Sequence, residues 1–180
     1  MINQTRNSSK RRSGFTLIEL IVVIIVLAVL AVIVAPKFIG LQGDANRAAI
    51  DGAVGSIKSA VQLFKAKTLT SGNEMATQVE FEGIKGSHYQ PWAAGATGSS
   101  FTAGYSSDPE IFEAAGIDVA EWSHRIYVEA GSYAVAAAPK SVLDKAEPTI
   151  NEVRATNCYF SYHWKVSGEP VISTVKTGCE

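Results

Sequence analysis

With 180 residues, 16 Lys and Arg against 17 Asp and Glu, and 47% hydrophobic side chains, the chain is the size of one ordinary domain and too apolar to be disordered. A net charge of −1 without a basic patch beyond the N-terminal arm argues against nucleic acid as a partner, because phosphate binding needs clustered Lys and Arg. The apolar residues are unevenly spread. From Phe15 to Ala35 there are 21 consecutive positions in which only Thr16 and Glu19 are polar, an asymmetry that rules out a simple cytosolic protein.

Residues 1–14 hold Arg6, Lys10, Arg11 and Arg12 and no acidic residue, a charge of +4 that should keep this arm in the cytoplasm. Without those four, 12 basic residues face 17 acidic ones, so the remainder is acidic by 5. A helix over the apolar run spans roughly 31 Å, close to the hydrocarbon thickness of a bilayer. A removable secretory signal is a poor reading, since a cut after Ala35 would put bulky Ile33 three residues before it and Pro36 directly after it. Lys10-Arg11-Arg12 hints at a twin-arginine signal, but Ser13-Gly14-Phe15 fits that poorly. A permanent anchor and a helix with a second destination remain. Glu19 bears on the choice, because a carboxylate inside a membrane run is expensive and points to function.

The order Lys10-Arg11-Arg12-Ser13-Gly14-Phe15-Thr16-Leu17-Ile18-Glu19, followed by sixteen uninterrupted apolar residues, Leu20 to Ala35, resembles the N-terminus of a type IV pilin precursor, of the type IVa kind. The resemblance covers about residues 10 to 42. It implies that residues 1–14 are a leader removed by a prepilin peptidase between Gly14 and Phe15. It also implies that Phe15 becomes an N-methylated first residue and that Glu19, fifth in the mature chain, acts in assembly. Residues 15–35 would be a transmembrane and filament-core helix, and 36–180 a periplasmic or extracellular body. The segment from Ala35 to Ala45 is similar more narrowly to the mannose-sensitive haemagglutinin (MSHA) pilins. The implied function is a subunit that leaves the inner membrane, with the help of the inner-membrane assembly machinery, for an extracellular helical homopolymer used in attachment. A type II secretion pseudopilin shares this N-terminus. The C-terminal cysteine pair and the lack of a clear calcium-ligand cluster near the C-terminus weigh against it. A periplasmic binding module or enzyme on an uncleaved anchor is a third reading.

Beyond Pro36, Ile50, Val54, Ile57, Val61 and Phe64 form one helical stripe. A helix from Phe15 to about Thr68, roughly 81 Å long, is expected to bend or loosen at Pro36 and near Gly40 and Gly43, to end at Ser71-Gly72-Asn73, and to lay its second half across a sheet. Residues 73–122 read as a long loop region with one short helix around Pro109 to Ala115. Strands are expected at Arg125 to Ala130, Tyr133 to Ala138, Tyr159 to Val166 and Val171 to Lys176, the first two joined at Gly131-Ser132. The fold class is therefore α+β, a long N-terminal helix packed on an antiparallel sheet of about four strands.

If the last two strands turn at Ser167-Gly168-Glu169-Pro170, Val166 faces Val171 and Cys158 faces Cys179, which predicts a disulfide across the hairpin. Two cysteines in an oxidising compartment are expected to bond. Nothing else carries chemistry. His88, His124 and His163 are scattered and support no metal site, and no cofactor is implied. Glu110 with Glu113 and Asp118 with Glu121 read as solvated faces. No phosphate loop, nucleophile elbow or complete EF-hand spacing occurs, so no catalytic residue is assigned and the chain reads as a non-enzyme. Tyr89, Trp92, Tyr105 and Trp122 can be a surface that stacks on a glycan, or anchors that tie a loop to the core. The second reading is favoured.

Overall fold

The computed structural model describes residues 15–72, 76, 78–97, 100–102 and 108–180. Residues 1–14, with Gly14, and the positions Asn73 and Tyr105 lie outside them. The chain divides into two compact units, Met1–Ile39 and Gly40–Glu180.

In the first unit the helix α1 begins at Leu17, and helical backbone continues to Ser71 in the second. Gly72 follows with a φ of 71°, the left-handed conformation in which helices commonly terminate. Every side chain from Phe15 to Ala35 is exposed.

The second unit is α+β. Its main sheet has four antiparallel strands in the order β6 (Trp122–Glu129), β7 (Ser132–Pro139), β8 (Tyr159–His163) and β9 (Val171–Val175). The whole of the expected helical stripe is buried, Phe64 with its ring edge-on to Phe81, and Ile50, Val54, Ile57 and Val61 share one core with Ala53 and Ala60. Those residues belong with Ile126, Val135, Ala137, Phe160 and Tyr162 of the strands. The pleat sends alternate residues to opposite faces. Ala136 and Ala138 accordingly join a second cluster with Val153 of α3 (Ile150–Ala155), against which Tyr127, Tyr159 and Ile150 pack. Both faces of β7 are thus buried, and alanine is small enough to let helices approach on either side.

Several expectations require correction. The first hairpin turns at Ala130-Gly131, because Glu129 pairs with Ser132. Its φ values of 50° and 76° make the mirror-image turn that matches strand twist, with Gly at the second position. The region read as loop contains β1 (Val79–Phe81), β2 (Ile84–Ser87) and β3 (Gln90–Pro91) in one small sheet, and β4 (Gly95–Thr97) with β5 (Ser100–Thr102) in another. Its short helix, α2, is Glu110–Ala115, followed by a 3-10 turn at Val119–Glu121. Helix α3 was not expected, although Thr149 and Glu152 close a capping box at its start.

The last hairpin is also shifted. His163 pairs with Val171 and Tyr159 with Val175, so the connection runs from Trp164 to Pro170, longer than the four residues expected. The connection is held by Gln90, which is 2% exposed. Its Oε1 accepts from the Lys165 N–H at 3.1 Å, and its Nε2 donates to the carbonyls of Lys165 and Gly168 at 3.2 and 2.9 Å. The backbone groups that would lengthen β8 and β9 are thereby occupied.

Candidate functional site

The N-terminal run is unusual for a folded chain because it buries nothing. Leu17–Ala35 is long and apolar enough to cross a membrane. Phe15 is 93% exposed and Leu17 75%. A strip of some twenty apolar side chains left in water would be strongly unfavourable, so the run needs a lipid or protein environment.

At its start the polar residues are organised. Thr16 precedes the first helical residue, and Glu19 is the third residue of the helix. The Thr16 N–H and Oγ1 both donate to Glu19 Oε2, at 3.1 and 3.0 Å, while the Glu19 N–H donates to Thr16 Oγ1 at 3.3 Å. This reciprocal pattern is a capping box, in which side chains satisfy backbone donors that have no partner within the helix. A carboxylate is also favoured there by the positive end of the helix dipole. Within the chain, then, the partner of Glu19 is Thr16. Sequence reading missed this role, although the spacing Thr16-Leu17-Ile18-Glu19 before an apolar run is itself the signal.

A family model described as the prokaryotic N-terminal methylation motif matches residues 9–35. This N-terminus is of the prepilin type. The match spans Lys10-Arg11-Arg12, Gly14, Phe15, Glu19 and the apolar run, and it supports a precursor of the type IV pilin or pseudopilin kind, anchored in a membrane and processed by a prepilin peptidase. Pilins and pseudopilins are structural rather than enzymatic proteins. No curated protein and no solved structure matches the chain.

The other singled-out residues lie in the body. Cys158 and Cys179 form a disulfide with a Cα–Cα distance of 4.8 Å, but not by the hairpin register that predicted it. In the observed register the partner position of Cys158 would fall at Lys176, one beyond the last paired residue. Beyond Val175 the chain leaves the strand and turns, and the Gly178 N–H donates to the Asn157 carbonyl at 2.9 Å. That turn returns Cys179 to Cys158.

Trp92 and Trp122 are buried in the main core, where Trp92 Nε1 donates to Ser87 Oγ at 2.9 Å. They serve as anchors rather than as a glycan platform. Tyr89 is half-buried and borders a depression of about 240 Å³ spanned by the Lys65–Glu169 ion pair at 2.5 Å. Glu110 is not on a solvated face. It is 8% exposed and accepts from the Lys85 N–H at 2.8 Å, whereas Glu113, Asp118 and Glu121 are exposed. Among the described residues no group of three or more His, Cys, Asp or Glu is placed to hold a metal. His124 is 8% exposed with its Nε2 buried and unpartnered. Burial depresses its pKa below 6.5, with the Asp108 charge pulling the other way.

Proposed function

We propose that the chain is the structural subunit of a type IV pilus, cut between Gly14 and Phe15, methylated on Phe15 and polymerised through Phe15–Ala35 into a surface fibre for attachment. The observation that carries this reading is the exposed apolar run joined to a prepilin-type leader. Such a helix can rest in the inner membrane and later exchange lipid for the same run of neighbouring subunits, because both environments are apolar.

Glu19 gives the transfer its register. Cleavage creates a positive amine on Phe15, and an incoming subunit can bring that amine beside the Glu19 carboxylate of a neighbour. Either charge alone in an apolar core is costly, so the pair selects axial position more than it adds net stability. Until then the Thr16 capping box holds the carboxylate.

The pseudopilin is the second reading, and the resemblance to MSHA pilins and the C-terminal disulfide favour the pilus. Electron microscopy of cells that lack only this chain tests the proposal. Loss of long surface fibres supports a pilin, whereas intact fibres with a secretion defect support a pseudopilin.

A further inference from the structure

The C-terminal turn meets α1 at the beginning of the helix portion that belongs to the body. Gly43 lies against it so closely that an added Cβ would stand 3.0 Å from the Cys179 carbonyl oxygen and 3.3 Å from Glu180 Cα. One helical turn on, Asn46 is 4% exposed and its Nδ2 donates to that same carbonyl at 3.2 Å. Its Oδ1 accepts from Ser141 Oγ at 2.7 Å and from Gln42 Nε2 at 3.4 Å. Arg47 reaches the Glu180 carboxylate at 3.8 Å.

On the other side, Gly178 sits where a Cβ would stand 2.2 Å from the Thr156 carbonyl oxygen, beside its hydrogen bond to Asn157. The disulfide then ties the turn to Cys158, and both cysteines are fully buried. Residues 43–47 of α1 are therefore gripped by a turn whose position depends on a covalent bond. Ile57 and Val61 are instead held by the apolar core.

We propose that this turn is a redox-conditional latch. With the disulfide formed, the Cys179 carbonyl seats on Asn46 and Gly43 and the first turns of the body's helix are fixed. With it reduced, the latch lifts and those turns fray while the core-packed portion stays helical. The latch also works in reverse, because a seated Cys179 keeps both sulfurs away from solvent. Reduction breaks the bond between the two Sγ atoms, and each sulfur takes up one proton. The two electrons come from a dithiol, which gives up two protons and closes to a cyclic disulfide.

The test uses the full-length chain extracted in detergent and treated with a dithiol under native conditions, with thiol appearance followed by alkylation and mass. Asn46→Ala and Gly43→Ala should each accelerate reduction about tenfold or more. Gly52→Ala, at a helical glycine whose added Cβ meets nothing within 4 Å, should react at the wild-type rate. Hydrogen exchange on the reduced wild-type chain gives a readout that needs no variant. Amides of 43–47 should exchange at least tenfold faster, and those of 57–64 should keep their protection. Wild-type reduction rates in Asn46→Ala and Gly43→Ala, or equal acceleration by Gly52→Ala, would overturn the latch. Exchange that rises equally along the helix, or nowhere, would do the same.

Discussion

The two ends of α1 are both rich in aliphatic residues yet differ in what they bury. From Phe15 to Ala35 every side chain is exposed. From Ile50 to Phe64 apolar residues recur every three or four positions and are buried, while Asp51, Lys58, Gln62 and Lys65 face outward. An amphipathic stripe specifies a fold within one chain, because it has one face to bury. A helix that is apolar all round has no preferred face and needs an apolar surrounding on every side. The difference teaches that the first portion is made for an environment outside the chain, and the second for the chain's own sheet.

The contrast breaks most visibly on truncation. Removing residues 1–42 should yield a soluble monomer that forms no fibres, checked by sedimentation and electron microscopy. An aggregated product would show that the body needs helix before Gly43. The next largest effect sharpens the comparison at single residues. Ile57→Ala removes a fully buried side chain and should destabilise the body by about 2–5 kcal/mol in denaturant unfolding. Ile24→Ala, in the exposed run, should leave the stability of the body within about 0.5 kcal/mol.

Glu19→Val tests the apolar portion alone. Membrane insertion should persist, since the run becomes more apolar, and the melting of the body should not change, while fibre number falls sharply. Wild-type fibre numbers with unchanged subunit spacing would contradict a role in register.

The smallest effects are set by pH and belong to the body. His124 has a folded pKa below its ordinary 6.5 through burial, so the unfolded chain binds more protons and stability declines as pH falls below about 6.5. Asp108 opposes that shift, Lys140 adds to it, and His124→Gln should flatten the slope. Glu152 is held near 2 by Lys145 first and by the Thr149 cap second. Its contribution is present above 4.5 and is lost between 4.5 and about 2. Backbone NMR should show α3 fraying at its N-terminus across that interval, with α1 unaffected.

What was legible in the sequence was local. The apolar run and the stripe at Ile50, Val54, Ile57, Val61 and Phe64 follow from helical periodicity, which a chain displays along itself. The capping boxes at Thr16 and Thr149 were equally local and were overlooked. The register of the last hairpin was not local. Ser167-Gly168-Glu169-Pro170 has good turn composition, but Gln90, 75 residues from Lys165, captures the backbone that a longer hairpin would use. The disulfide was expected for a reason that proved wrong, because the turn after Val175, not strand pairing, brings Cys179 to Cys158. The small strands between Val79 and Thr102 are two to four residues long, too short for alternation to stand out against Gly, Ser and Ala.

The central claim is that the first portion of α1 is released by processing for use outside the chain. The most direct measurement is the intact mass and N-terminal sequence of the protein extracted from membranes and from sheared fibres. The expected mature protein lacks residues 1–14 and begins at a Phe15 that carries one methyl group on its amine. A mature protein that retains residues 1–14, or one cut after Ala35, would contradict it.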